Sequence, residues 1–418
     1  MTELDALADE LDRRLADADA ALSRLYPGDR GVRQPVHTVY VPADQYDAGT
    51  VERWAAEAKA VLASHGGSAA ALAEALDLPA DQAVEVYERV RGKLEREPIE
   101  DLRIDFEDGY GTRPDDQEDA AAISAARALA ESVKNASAPP YHGLRIKSLE
   151  APSRRRGVRT LDLFVGEMAR AGALTDGFVV TLAKVTSVEQ VEAMVVVLAA
   201  VEKAHAVPSG SLKFEIQVET PQAILGPDGT ALVVRMISAG AGRVTGLHYG
   251  TYDYSASLGV AAAYQSMEHP VADHAKDVMQ LAAAGTGVFV SDGSTNVLPV
   301  GERDAVHAAW RLHSRLVRRS LVRGIYQGWD MHPGQLPSRF VATYLFYREG
   351  LESAALRLRA YVGKGESGYL DEPATATALA SFVLRGVECG AIDMPELDTL
   401  IGIDPATLAT LARRPARP

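Results

Sequence analysis

The sequence predicts a (β/α)₈ barrel carrying an N-terminal helical extension and a C-terminal helical segment. Eight short runs rich in β-formers alternate with helix-like segments, and no series of runs is linked by hairpin turns. Such alternation favours parallel strands joined by crossover helices. Charged residues also gather where these runs end, and the carboxyl ends of the strands form the chemically active face of a barrel of this kind.

Leu4, Leu7, Leu11, Leu15, Leu22 and Leu25 recur at near-helical intervals behind Thr2, a suitable N-cap, until Pro27-Gly28 stops the pattern. This amphipathic helix is expected to pack on something. Val36-His-Thr-Val-Tyr-Val41, ended by Pro42, reads as the first strand. Residues 50–98 are rich in Ala, Leu and Glu, with breaks at Gly66-Gly67 and Pro79, and read as an insert of two or three helices. Further strands are predicted near 101–106, 143–147, 177–183, 213–218, 243–249, 287–291 and 324–331, with helices such as 116–135, 187–205 and 303–322 between them. Beyond about residue 338 only helical patterning remains, broken by Gly363-Lys-Gly365 and Gly368, and the tail Arg413 to Pro418 is expected to fray. The implied organisation is an extension over 1–35, a barrel over 36–340 and a helical segment over 341–418.

The 418 residues are 47% hydrophobic and 24% charged, enough apolar material for a large core. Against 43 Lys and Arg stand 57 acids, and the net charge of -14 opposes general affinity for nucleic acid or anionic membrane. A single cysteine, Cys389, excludes an internal disulfide framework and a multi-thiolate metal site, in keeping with a reducing cytoplasm. No run approaches the roughly 20 apolar residues of a membrane span, and the acidic start Met1-Thr-Glu-Leu-Asp5 is followed by no apolar export signal.

Glu219 and Asp253 end successive strand-like runs, Phe214 to Val218 and Val244 to Tyr249. Two acids so placed can share a hard cation such as Mg²⁺ with the oxygens of a substrate. Gly250 lets the backbone turn sharply before Asp253. Asp253 alone also reads as a helix N-cap, whereas Glu caps poorly and a Glu at a buried strand end needs a partner or a metal. Asp105-Phe-Glu107-Asp108 places three acids within four residues, with Asp105 and Glu107 on one side of the strand. Such acids repel unless cations or donors surround them, so they read as a clamp on an arginine, as an outer shell to metal-bound water, or as a solvated loop.

Arg145 and Lys147 share a face of the third strand, and Arg145 is the preferred binder of a substrate carboxylate or enolate. Lys147 and Lys184 raise Schiff-base chemistry as a rival, which neighbouring acids would oppose by keeping the lysines protonated. His332, ahead of Pro333, reads either as a base or as a hydrogen-bonded structural element. Arg154, Arg155 and Arg156, assigned to the loop after the third strand, suit a phosphate or CoA nucleotide, or a solvated basic loop. The basic run Arg311 to Arg323 has helical spacing and reads as surface.

In order along the chain, these segments resemble the citrate lyase β-subunit-like and HpcH/HpaI aldolase superfamily, from about Val36 to Ala380. Val39-Tyr-Val-Pro42 resembles its opening strand, and Asp105-Phe-Glu107-Asp108 its D-L-E-D motif. Leu144-Arg145-Ile-Lys147 stands where it has R-x-N, and Leu182-Ala-Lys184-Val185 where it has P-K-V. Val218-Glu219-Thr220 is similar to I-E-T, Tyr249-Gly-Thr-Tyr-Asp253 to F-G-x-x-D, and His332-Pro-Gly-Gln335 to H-P-x-Q. The resemblance implies a Mg²⁺-dependent (or Mn²⁺-dependent) carbon-carbon lyase on a (β/α)₈ barrel, with Glu219 and Asp253 as metal ligands and Arg145 on the substrate oxyanion. Asp108 stands where the pyruvate-type aldolases carry a catalytic His, which implies the lyase-like branch. Tyr369-Leu-Asp371-Glu-Pro373 resembles the M-I-D-x-P segment, whose Asp serves a neighbouring subunit as acid/base, and implies a homo-oligomer from dimer to hexamer. Lys147 in place of Asn, Ala183 in place of Pro, the insert and the N-terminal helix depart from the pattern and leave CoA use open. The expected partner is a small carboxylate substrate, with no nucleic acid and no membrane. Alternatives are a phosphoenolpyruvate-type enzyme using Arg154 to Arg156, and a non-catalytic metabolite-binding subunit.

Overall fold

The computed structural model describes residues 3–363 and 368–412, so Thr2, the end of the Gly363-Lys-Gly365 break and the tail from Arg413 lie outside the described residues. In chain order the elements begin with α1 (Glu3–Leu25), β1 (His37–Pro42), α2 (Thr50–Gly66), α3 (Ala69–Leu76), α4 (Ala80–Arg96) and β2 (Asp101–Asp105). Next come α5 (Asp115–Lys134), β3 (Tyr141–Ile146), α6 (Arg154–Arg170), β4 (Phe178–Leu182), α7 (Val188–Ala204) and β5 (Lys213–Val218). They continue with α8 (Pro221–Ile224), α9 (Leu232–Ala239), β6 (Val244–Tyr249), α10 (Thr251–Ser257), α11 (Pro270–Ala283) and β7 (Phe289–Ser291). The chain closes with α12 (Arg303–Val322), β8 (Gly328–Asp330), α13 (Leu336–Tyr361), α14 (Pro373–Cys389), α15 (Met394–Ile401) and α16 (Pro405–Ala412).

The eight strands form one sheet in the order β7-β6-β5-β4-β3-β2-β1-β8, every pairing parallel. A parallel bridge between Ser291 and Gln327 joins the two ends, supported by Asp292 N–H on the Gln327 carbonyl at 2.8 Å and Trp329 N–H on that of Gly293 at 3.1 Å. The predicted barrel is therefore what the chain forms. Strands 7 and 8 are shorter than expected, at three residues each. Their flanks run on as loops that still supply the closing hydrogen bonds.

Two apolar layers surround the barrel. One lies between the outer faces of the strands and helices α5 to α11, with Leu102, Ile104, Leu144, Val180, Phe214, Ile216 and Leu247 at its centre. The other joins the insert helices α2 to α4 to α12 to α15 through Leu62, Leu72, Val90, Leu94, Trp310, Phe340 and Tyr344. Burying one side of α13 against both the insert and α14 makes these helices share a single core. Gly66-Gly67 and Pro79 separate the three insert helices where the sequence indicated, and Ser68 caps α3 by accepting the Ala71 N–H at 3.1 Å.

The barrel interior is ionic below its mouth. Arg103 of β2 reaches across three strands to Glu215 of β5 at 2.8 Å, and also pairs with Asp101. His248 Nε2 approaches Glu215 at 3.1 Å. Burial pushes the Glu215 carboxyl upward, but Arg103 and His248 outweigh it and hold it well below the usual carboxylate range.

No residue of α1 is buried among the described residues. Its root is fixed where Gly28 N–H donates to the Gly285 carbonyl at 2.8 Å and the Arg30 guanidinium stacks 4.6 Å from the Phe289 ring centre. No described helix is long and apolar enough to cross a membrane.

Beneath the barrel, Glu202 of α7 receives Arg243 at 2.6 and 2.8 Å and the N–H groups of Gly210 and Leu212 at 3.0 and 2.8 Å. Burial raises its pKa, but these donors outweigh that effect and bring it down to about 2. A carboxyl depressed in the folded state adds stability above its ordinary pKa and loses it as pH falls through the folded value. Glu202→Gln is accordingly expected to lose about 3 kcal/mol at pH 7. Urea unfolding of both proteins should show the gap narrowing progressively below about pH 4.

Candidate active site

Five neighbouring strand ends bring the charged residues together at the carboxyl face. Asp105 closes β2 and stands in register with Arg145 of β3. The Arg145 Nε and Nη2 atoms each donate to the Asp105 carboxylate at 2.7 Å, a bidentate pair fully enclosed by protein. Main-chain N–H groups of Glu107 and Gly109 hold the same carboxylate at 2.9 and 2.8 Å. The second-strand acids thus clamp an arginine. Arg145 Nη1 donates to Gln217 of β5 at 3.2 Å, and the guanidinium lies 4.7 Å from the Tyr40 ring centre and 5.5 Å from that of Trp329. Of five N–H groups, one on each terminal nitrogen is left over after these hydrogen bonds.

Lys184 stands at the centre of the remaining acids. It follows β4 by two residues and adopts φ 52°, the left-handed region that a side chain with a Cβ disfavours by about 1–2 kcal/mol. That backbone turns two groups of one residue inward together. Its N–H donates to Glu219 Oε1 at 2.7 Å, while its ammonium lies 2.9 Å from Glu107, 2.8 Å from Asp108 and 2.8 Å from Asp253. Burial disfavours the ammonium, yet Glu219, Asp108, Asp253 and Glu107 outweigh it and raise its pKa well above the usual lysine value. A lysine held charged in this way is a poor nucleophile, which weighs against the Schiff-base alternative at this position.

Glu219 follows β5 and is buried, whereas the Asp253 side chain is 46% exposed. Burial lifts the Glu219 carboxyl to about 8 against the opposing pull of Lys184 and Arg145, with Glu107 and Asp253 adding repulsion. Burial likewise raises Glu107, while for Asp108 the Lys184 hydrogen bond overcomes burial and lowers it. Asp253 lies in the first turn of α10 behind Gly250 rather than at the cap position, so the N-cap reading does not apply. Gly250 has a packing role: a Cβ there would stand 2.5 Å from the Glu219 Cβ and 2.9 Å from its Oε2.

Other predicted residues are not brought into this cluster. Lys147 turns to the helices, donating to Glu118 of α5 at 2.8 Å and to the Phe106 and Gly111 carbonyls at 2.6 and 3.0 Å. It lies beyond the end of β3, so strand alternation no longer governs its direction. His332 caps the turn after β8 by accepting Gly334 N–H at 3.0 Å and lies 3.3 Å from Glu57 of α2. Arg154, Arg155 and Arg156 form the first turn of α6 instead of a loop. Arg156 is engaged by Asp119 at 2.5 Å and Arg154 by the Leu149 carbonyl at 2.9 Å, while Arg155 is exposed. Asp371 pairs with Arg357 of α13. Three participants escaped the sequence reading: Gln217, Tyr40 and Trp329. Alternation along β5 supplies the missing signal for Gln217, since it shares a face with Glu215 and Glu219.

The profile of the family described as a domain of unknown function, DUF6986, matches residues 15–416. The chain belongs to the DUF6986 family. No curated protein matches it in sequence. A citrate lyase from Burkholderia xenovorans LB400 is similar in structure, with TM-score 0.58 and 17% identity over 89% of this chain and 99% of that one. This DUF6986 chain therefore shares the fold of that citrate lyase. Mycobacterium tuberculosis CitE in complex with magnesium, acetoacetate and coenzyme A aligns with TM-score 0.48 and 18% identity over 86% and 99% of the two chains. For a Haloferax volcanii malate synthase complexed with lead(II) the values are 0.48 and 15%, over 87% and 88%.

Gly250→Ala is expected to force Glu219 aside and to lower stability by about 1–3 kcal/mol, the usual cost of overpacking. Thermal or urea unfolding measures it, and an unchanged midpoint would show that Glu219 yields freely.

Proposed function

We propose that this chain is a divalent-metal-dependent carbon-carbon lyase or aldolase acting on a small carboxylate substrate, whether a 2-oxo acid, a hydroxy acid or an acyl-CoA. The observation that carries the reading is the convergence of Glu219 and Asp253 on one cationic centre, with the Asp105-clamped Arg145 close by. The donor set suits a hard ion, since both groups are carboxylates and one of them is buried at a cost that a bound cation would relieve. Among the described residues no third His, Cys, Asp or Glu joins them in a protein-only cage. Water and substrate oxygens would complete the coordination, as Mg²⁺ prefers.

In this reading Glu219 and Asp253 would hold Mg²⁺ or Mn²⁺, which when bound supplies Lewis acidity to a substrate carboxyl or carbonyl oxygen. Arg145 would use its two remaining N–H groups to orient the anionic end of the substrate and to stabilise charge as the carbon-carbon bond breaks. Asp105, Gln217, Tyr40 and Trp329 would keep the guanidinium fixed, so that little reorganisation accompanies the reaction. The basic cluster at α6 gives little support to the phospho-substrate alternative, because Arg156 is already neutralised by Asp119.

Proton transfer is assigned to Asp371 of a neighbouring copy. Arg357, its partner within the chain, lies about 30 Å along α13 from the start of that helix beside the mouth. Leu370 next to it is 98% exposed. A homo-oligomer is therefore part of the proposal. A cytoplasmic site of action accords with the lone, buried Cys389.

Glu219→Ala and Asp253→Ala should each abolish Mn²⁺ binding, measured by electron paramagnetic resonance, together with turnover of a panel of 2-oxo acids, hydroxy acids and acyl-CoAs. Undiminished turnover in metal-free buffer would remove the proposal. Mixing and reassembling inactive Asp371→Ala with inactive Glu219→Ala subunits should restore part of the wild-type rate. No recovery would exclude a contribution in trans.

A further inference from the structure

Among the described residues nothing buries the apolar stripe of α1. Leu4, Leu7, Leu11, Leu15, Leu22 and Leu25 are between 42% and 76% exposed on a helix without a single buried residue. Helices in proteins draw most of their stability from packing an amphipathic face, and one of 23 residues standing in water lacks that support. The six leucines, with Ala18, fall within one narrow arc of the helix, at the three- and four-residue steps of a coiled-coil seam.

The stripe is also symmetric. Taking Leu4, Leu7, Leu11, Ala18, Leu22 and Leu25, the steps are three, four, seven, four and three from either end. A second copy laid antiparallel puts Leu4 opposite Leu25, Leu7 opposite Leu22, and Leu11 opposite Ala18, with the two Leu15 residues meeting at the centre. The same alignment sets Arg14 within two residues of the level of the partner helix's Asp17, about 3 Å along the axis. A parallel pairing would instead align each acid with its own copy on a helix holding seven acids and three arginines.

The surroundings of Leu25 favour the antiparallel choice independently. Leu25 and Tyr26 border a groove of about 560 Å³ whose other wall includes Val234, Ile237, Val244 and Val288. In the antiparallel arrangement the partner's N-terminal end arrives there, bringing Leu4, the most exposed leucine of the stripe at 76%.

We infer that α1 is a dimerisation helix, pairing antiparallel with α1 of a second copy across a two-fold axis near Leu15 and seating its first turn against the groove beside Leu25. The seam is isologous, so it closes on a dimer and does not propagate. It is separate from the active-site reading and stands or falls without it.

Light scattering coupled to size exclusion tests the inference on the full chain. The double variant Leu7→Glu, Leu22→Glu should halve the particle mass, with the thermal midpoint of the barrel unchanged because neither residue touches it. For orientation, Leu7→Cys and Leu22→Cys proteins are mixed under mild oxidation. The native Cys389 does not interfere, because burial pushes its thiol up to about 12. Disulfide-linked dimer is expected only from the mixture. Wild-type protein of single-chain mass, a mass unaffected by the glutamates, or cross-linking of Leu7→Cys with itself would each overturn the inference.

Discussion

One strand imposes order on the interior of the barrel. Glu215, Gln217 and Glu219 lie two residues apart in or just beyond β5, so all three point inward. Each meets a basic residue from a different strand: Arg103 from β2, Arg145 from β3, and Lys184 from the end of β4. The inward carboxylates cannot remain there without such partners, because deleting one member of a buried pair typically costs about 3–5 kcal/mol. The lower rung is closed and structural, with Thr181 and His248 completing the shell of Glu215. The middle rung fixes Arg145. The upper rung opens to the mouth, and there burial outweighs the pull of Lys184 and Arg145 and raises the Glu219 carboxyl.

That gradient leaves the least enclosed charges at the top. A bidentate Asp105–Arg145 pair within an aromatic cage does not reorient easily, so it offers a fixed donor. Lys184, by contrast, is attached by a flexible stem to a backbone in the left-handed region, and its ammonium reaches Glu107 and Asp108 after β2 and Asp253 in the first turn of α10. Its position beside Glu219 and Asp253 is the position a divalent ion would compete for. The backbone N–H of Lys184, held by the same unusual φ, keeps Glu219 oriented whether or not the ammonium stays.

Much of this was legible from the chain, and the reasons are local. β-formers between helices gave the strand order, and Gly66-Gly67 and Pro79 gave the insert breaks, because such signals depend on a few neighbouring residues. The gathering of Asp105, Glu107, Asp108, Arg145, Lys184, Glu219 and Asp253 followed from their common position at strand ends. Residues just outside regular structure were harder. Lys147 shares a parity with Arg145 but leaves the strand after Ile146 and turns to Glu118. The arginines at 154 to 156 begin α6 directly behind Ser153, a residue that suits an N-cap although its side chain makes no cap bond here. Gln217 was passed over because a neutral side chain attracts less notice than the charges around it. For α1, periodicity indicated an apolar face but said nothing of what would cover it.

The central claim is that Glu219 and Asp253 form a divalent-cation site now spanned by Lys184. A crystal structure of the protein soaked with Mn²⁺, read by anomalous scattering, addresses it directly. The account predicts one strong peak roughly 2.0–2.3 Å from both carboxylates, with the Lys184 ammonium moved off Asp253 and the Asp105–Arg145 pair unchanged. An unaltered Lys184–Asp253 contact and no peak between the two acids at saturating Mn²⁺ would contradict it.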